Sequence, residues 1–172
     1  MDLAEVVALE KQLVESSLDS MQQGLARVEF GVIYAEFGEL ARALDGYQRA
    51  AEVLGEHPEL ALELAKLRIQ SGQPELATAL LRKALEDDKT RTAAHVLLAR
   101  IHGSLGFWDQ ARHHLEQASD AAPAWGEPLD LLAVVHEQLG NDEQARSFRE
   151  RSEQHRLEGE RLAKRLSQEG PA

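Results

Sequence analysis

The chain has 172 residues, 43% hydrophobic and 28% charged, and it contains no cysteine, which excludes disulfides, thiolate metal sites and cysteine nucleophiles. Its formal net charge of −11 argues against nucleic acid as a partner, because an acidic surface repels the phosphate backbone. No apolar run is long enough to insert into a membrane, and the N-terminus has no features of a signal peptide, so we expect a cytoplasmic protein.

The first predicted element is an amphipathic helix over residues 2–19. Apolar residues recur along one face of it at helical spacing: Leu3, Val6, Val7, Leu13, Val14 and Leu18. We assign residues 1–23 to a segment that covers one end of the repeats that follow, since stacked helical repeats need capped ends.

Four units of 34 residues follow without a gap, at 24–57, 58–91, 92–125 and 126–159. Each predicted unit is a pair of helices separated by a glycine that suits the left-handed end of a helix, namely Gly38, Gly72, Gly106 and Gly140. Small residues recur where two helices must approach closely, in the columns Gly31, Ala65, Ala99, Ala133 and Ala43, Ala77, Ala111, Ala145. Pro58, Pro74 and Pro128 fall in first turns, where proline is tolerated.

The last predicted helix runs from residue 142 to about residue 167, so that residues 160–172 form its extension and a short tail. We interpret this extension as a cap on the last repeat. The alternative is a helix that binds a partner or a second copy of the chain.

The unit, with a small residue early in its first helix, a glycine at the turn and two alanines in its second, resembles the tetratricopeptide repeat. The third unit, TAAHVLLARIHGSLGFWDQARHHLEQASDAAPAW, is nearest to that family's pattern. The usual aromatic near the start of the first helix is replaced by Arg27, Ala61, His95 and Leu129. The resemblance implies an all-α fold: a right-handed superhelical solenoid of antiparallel helix pairs, with flanking N- and C-terminal helices and a concave groove lined by the first helices.

The resemblance further implies a non-enzymatic adaptor or scaffold that binds a helical or extended peptide of a partner protein in that groove. The groove residues we expect to contact the partner are Leu25, Val28, Val32, Leu62, Lys66, Ile69, Val96, Leu97, Arg100, Leu131 and Val134. Lys66 and Arg100 either hold an acidic residue of the ligand or pair with neighbours such as Glu63, Glu137 or Asp130. The basic carboxylate clamp of heat-shock co-chaperones is absent, because Val28, Val32, Glu63, Ala93 and Leu97 occupy its positions.

Two other functions stay open: a dedicated chaperone, similar to those of type III secretion translocators, and a self-assembling structural subunit. No enzyme motif is present, so we predict no catalytic residue and no cofactor. We expect Trp108 and Trp125 to pack in the core. The histidines are expected to serve packing, with His102 and His136 as stacked neighbours, and metal binding or pH sensing as the alternative: His95, His102, His113, His114 and His136.

Overall fold

A computed structural model describes residues 2–14, 18–55 and 57–168, and these residues form nine α-helices and no strand. The helices are α1 (Leu3–Val14), α2 (Ser20–Glu36), α3 (Leu40–Leu54), α4 (Pro58–Gln70), α5 (Pro74–Ala84), α6 (Asp88–Ser104), α7 (Trp108–Ala121), α8 (Glu127–Gln138) and α9 (Asp142–Gln168). The all-α helical-repeat class is therefore confirmed. The chain divides into two compact units, residues 1–94 and 95–172, each described below by itself.

Glycine and proline set the helix boundaries as the repeat pattern predicts. All four turn glycines have positive φ, between 71° and 77°, a conformation that costs other residues free energy. The prolines of α4, α5 and α8 lie in the first turn, where no backbone N–H is needed for the helix. Gly55, with φ of 82°, ends α3 at a position without the family's usual inter-repeat proline.

The core of the first unit joins α1, α2, α3 and α4. Val6, Tyr34, Tyr47 and Leu67 are buried in one cluster with Ala43, Ala50, Leu60 and Leu64. The Tyr34 hydroxyl donates a hydrogen bond of 2.6 Å to Glu10, which ties α1 to α2. α1 thus packs against α2 in this core, and its role as a cap stays a prediction. The side chain of Val14 and residues 15–17 lie outside the described residues.

The boundary between α1 and α2 differs from the prediction. Asp19 is not the end of the first helix but the N-cap of α2, which begins at Ser20 rather than near residue 24. Its carboxylate accepts from the Gln22 N–H at 2.8 Å, and the Gln22 side chain accepts from the Asp19 N–H at 3.1 Å. This reciprocal capping box holds the first turn of α2 four residues before the expected start.

The core of the second unit joins α6, α7, α8 and α9. Val96, Leu115, Leu132 and Val135 are buried there with the alanines 99, 111 and 118, and Trp108, Trp125 and Phe148 pack against them. The predicted core role of both tryptophans is therefore confirmed. α9 is a single helix of 27 residues that continues through Gly159, and its bounds are close to the predicted residues 142 to about 167.

None of the helices that the structure describes combines the length and the apolar character needed to cross a bilayer.

Candidate functional site

The residues at one position of the repeat, called a column here, are accessible in all four 34-residue repeats. It consists of Val32, Lys66, Arg100 and Val134, all predicted to contact a partner. Val32 and Val134 are 41% and 46% exposed, Arg100 is exposed and Lys66 is half-buried. These residues occupy the same position in the first helix of each helix pair, so each repeat exposes an equivalent side chain there.

Another predicted column is largely inaccessible. Val96 is 2% exposed and belongs to the core of the second unit, and Leu62 at the same position of the preceding repeat is also buried. A partner cannot touch either side chain without displacing the core, so we remove both from the predicted contact set. Val28 in this column is half-buried.

The first unit contains a cavity of about 250 Å³ between α2, α3 and the start of α4. Leu25 and Val28, both predicted to contact a partner, lie on its wall, and Leu25 is 52% exposed. The other lining residues are Tyr47, Leu54, His57, Glu59, Leu60 and Glu63. Burial, followed by the negative charges of Glu63 and Glu29, raises the pKa of the Tyr47 hydroxyl to about 12. The lining of the cavity is mostly apolar and includes two carboxylates.

Lys66 is already engaged in an ion pair within α4. Its Nζ lies 2.6 Å from Oε1 of Glu63, one turn earlier. Ile69, one turn further along α4, is half-buried. The interpretation of Lys66 as paired with its neighbour is the one that the geometry favours.

The second unit contains a cavity of about 210 Å³ between α6, α7 and α8. Arg100, Leu131 and Val134 of the predicted set line it, together with Ala99, Gly103, Trp108, Leu115 and Val135. A β-carbon on Gly103 would lie 3.2 Å from Cζ3 of Trp108, so the glycine gives the indole room in the wall. Leu97, the remaining predicted residue of this unit, is half-buried.

Arg100 forms an ion pair at the edge of this cavity, with Nη2 2.6 Å from Oε1 of Glu127 on α8. The sequence suggested Glu137 or Asp130 as its intramolecular partner instead. Glu137 pairs with Arg149, and Asp130 accepts a hydrogen bond from Ser152. Arg100 pairs with Glu127 rather than with the predicted residues because Glu127 lies in the first turn of α8, beside α6.

Tyr47, Leu54 and Trp108 line the two cavities but were not among the predicted contacts. Trp108 was expected to pack in the core, and no role was predicted for Tyr47 or Leu54. Tyr47 and Trp108 do pack in cores, and they also form cavity walls. The signal in the sequence was the small residue facing each ring, Gly31 for Tyr47 and Gly103 for Trp108.

The histidines of α6 and α7 form a cluster inside the second unit. Nδ1 of His95 lies 3.0 Å from Nδ1 of His114, and the His102 ring stacks on His114 with centroids 5.4 Å apart. Burial, followed by the positive charge of His95, His102 and His113, lowers the pKa of His114 to about 4. His136 stacks on Phe148 at 5.2 Å, so the expected stacking of His102 on His136 is wrong. Among the described residues, no three histidine or carboxylate side chains are arranged to hold a metal ion.

Comparison with known proteins agrees with the repeat geometry. A tetratricopeptide repeat family model matches residues 34–101 and 69–133. An F-box protein of Arabidopsis thaliana is 30% identical over 96 residues, which cover 52% of this chain and 27% of that protein. This chain therefore spans only about a quarter of the curated relative that it matches.

Three solved structures share the fold at low sequence identity. MamA superposes with a TM-score of 0.77 at 14% identity, over 88% of this chain and 87% of that one. YrrB, described as a repeat protein of this family with an unusual peptide-binding site, has a TM-score of 0.71 at 20% identity, over 89% and 79%. PilF of Pseudomonas aeruginosa has a TM-score of 0.68 at 21% identity, over 79% and 62%.

Proposed function

Because the chain belongs to the tetratricopeptide repeat family, we propose that it is a non-enzymatic adaptor that binds a helical or extended segment of a partner protein. The proposed contact residues are the accessible members of the predicted set in the second unit, namely Leu97, Arg100, Leu131 and Val134. The observation that carries the proposal is the cavity of the second unit, which three of these residues line.

The cavity suits one large apolar side chain of the partner. Trp108, Leu131 and Val134 provide an apolar wall, and about 210 Å³ is open to an incoming group. Full burial of such a side chain contributes about 1.5–3 kcal/mol. One anchor of this size, with contacts to the accessible residues of α6 and α8 around it, supports reversible binding.

The ion pair at the cavity edge supplies the polar contacts that orient a bound segment. The Arg100 guanidinium and the Glu127 carboxylate present donors and acceptors beside the apolar wall. A partner backbone can use both without separating the pair, because Arg100 keeps further N–H groups. The peptide-binding site described for YrrB supports the same use of this fold.

A single substitution in the cavity wall tests the proposal. Val134→Glu places a charge in the anchor position, while Leu105→Glu changes a similarly exposed apolar residue of the same unit that does not line the cavity. Each variant is compared with wild type by affinity capture from a native lysate, followed by calorimetry with the captured partner. We expect the partner to bind wild type and Leu105→Glu but not Val134→Glu. Equal capture by Val134→Glu, with helicity unchanged, would contradict the proposal.

A further inference from the structure

The C-terminal part of α9 extends beyond the packed body of the second unit. Phe148 packs in the core and Ser152 bonds to Asp130, but every side chain from residue 156 to residue 165 is exposed. Residues 156–168 are about 20 Å of helix at 1.5 Å per residue. A helix of this length is marginal in water without a surface to pack on.

This extension has an apolar and basic character. Leu162 is 54% exposed, and Arg165, three residues later, lies on the same face of the helix. Residues 156–168 include four basic side chains and two acidic ones. Within the described residues, neither Arg161 nor Arg165 has a carboxylate within ion-pair distance.

The cavity of the first unit has the complementary character. Leu25, Val28 and Leu54 make its interior apolar, and Glu59 and Glu63 stand on its wall. The negative charge of a third carboxylate, Glu29, also raises the pKa of the Tyr47 hydroxyl. Two lysines only partly neutralise this charge, since Lys66 pairs with Glu63 and Lys89 lies 3.7 Å from Glu59 with both side chains largely exposed. The first unit as a whole holds seventeen acidic residues against ten basic ones.

We propose that the cavity of the first unit binds the C-terminal end of α9 from a second copy of the chain. Leu162 packs against the apolar lining residues, and Arg161 and Arg165 face the carboxylates of the wall. The contact buries an exposed leucine and pairs cations with carboxylates. It also gives the extended helix a surface to pack on. This contact uses the first unit and does not depend on the partner cavity proposed in the second.

Sedimentation velocity of the full-length chain over a wide concentration range tests the contact. Leu162→Glu changes the inserted side chain, and Leu25→Glu changes the cavity wall. Leu76→Glu is the matched control, since Leu76 is also 54% exposed but does not line the cavity. We expect the mass of wild type and Leu76→Glu to rise with concentration. We expect self-association about a hundred-fold weaker in the other two variants, because each places an unpaired charge in an apolar contact.

Mixing the two defective variants identifies which surfaces meet. Leu25→Glu keeps an intact helix end and Leu162→Glu keeps an intact cavity, so a mixture restores one productive contact. We expect a heterodimer at concentrations at which each variant alone is monomeric, weakened by added salt. A wild type that stays monomeric, a Leu162→Glu variant that still self-associates, or a mixture without heterodimer would each overturn the proposal. Circular dichroism of each variant verifies that the helices are intact.

Discussion

Gly31 on α2 and Tyr47 on α3 are matched in size: a β-carbon on Gly31 would lie 2.8 Å from Cε2 of the Tyr47 ring. The same two positions hold Ala65 with Leu81 in the second repeat, and Ala99 with Leu115 in the third. A branched aliphatic side chain leaves room for alanine where the planar ring of tyrosine does not. The glycine of the first repeat is therefore explained by the ring that it faces.

Gly31→Ala is expected to destabilise the protein although alanine favours helix. The clash with a rigid ring costs about 1–3 kcal/mol, whereas the gain in helix propensity is about 1 kcal/mol. We expect a net loss of up to about 2 kcal/mol in the free energy of unfolding, measured by urea titration. In the background Tyr47→Leu the same substitution should cost nothing or stabilise. An equal cost in both backgrounds would show that the ring is not the cause.

The protein should become less stable as the pH is lowered, because His114 takes up a proton more readily in the unfolded chain. Its pKa is about 4 in the folded chain and about 6.5 in the unfolded one, so the unfolded state binds more protons between these values. The free energy of unfolding should therefore decrease as the pH is lowered from 6.5 towards 4. We expect His114→Gln to have a shallower decrease than wild type in urea titrations over this range. If the free energy of unfolding depended on pH in the same way in both proteins, His114 would not be the group responsible.

Tyr34→Phe should loosen α1. The substitution removes the 2.6 Å hydrogen bond to Glu10 and keeps the buried ring. A bond to a charged group contributes about 1.5–3 kcal/mol, so we expect faster amide hydrogen exchange in Leu3–Val14, with little change in α4 and α5. Glu10→Gln serves as the reciprocal variant and should act in the same direction. Unchanged exchange in α1 in both variants would show that apolar packing alone holds the helix.

Gly140 and Gly159 should respond in opposite directions to substitution by alanine. Gly140 has φ of 74°, so Gly140→Ala forces a left-handed alanine at the α8–α9 turn and should cost about 1 kcal/mol. Gly159 lies within α9 with nothing within 4 Å of an added β-carbon, so Gly159→Ala should increase helicity. Thermal unfolding measures the first effect and far-ultraviolet circular dichroism the second. A Gly140→Ala variant as stable as wild type would contradict the role of that turn.

The fold could be predicted because its signals repeat. Turn glycines, first-turn prolines and small contact residues recur at one spacing, so each position was supported by several others. The start of α2 was missed although Asp19 and Gln22 have the spacing of a capping box. Both residues precede residue 24, where the alignment of the repeats placed the start of the first repeat, so this local signal was not used.

Accessibility at the site could be predicted only in part. Val32 and Val134 share a column and are both exposed, as expected. Leu62 and Val96 share another column, and burial removes both from the surface. The period of the repeat specifies which residues are equivalent, but their exposure depends on side chains that pack from other helices. The ion pair of Arg100 with Glu127 was missed for the same reason.

Each unit buries its apolar residues among neighbours in sequence, and this has a consequence for synthesis on the ribosome. The cluster that contains Val6 and Tyr34, with the partly buried residues around it, lies entirely before residue 81. The first unit can therefore form its core while α9 is still inside the exit tunnel. We expect nascent chains arrested within α9 to be already protected from protease in α2–α4.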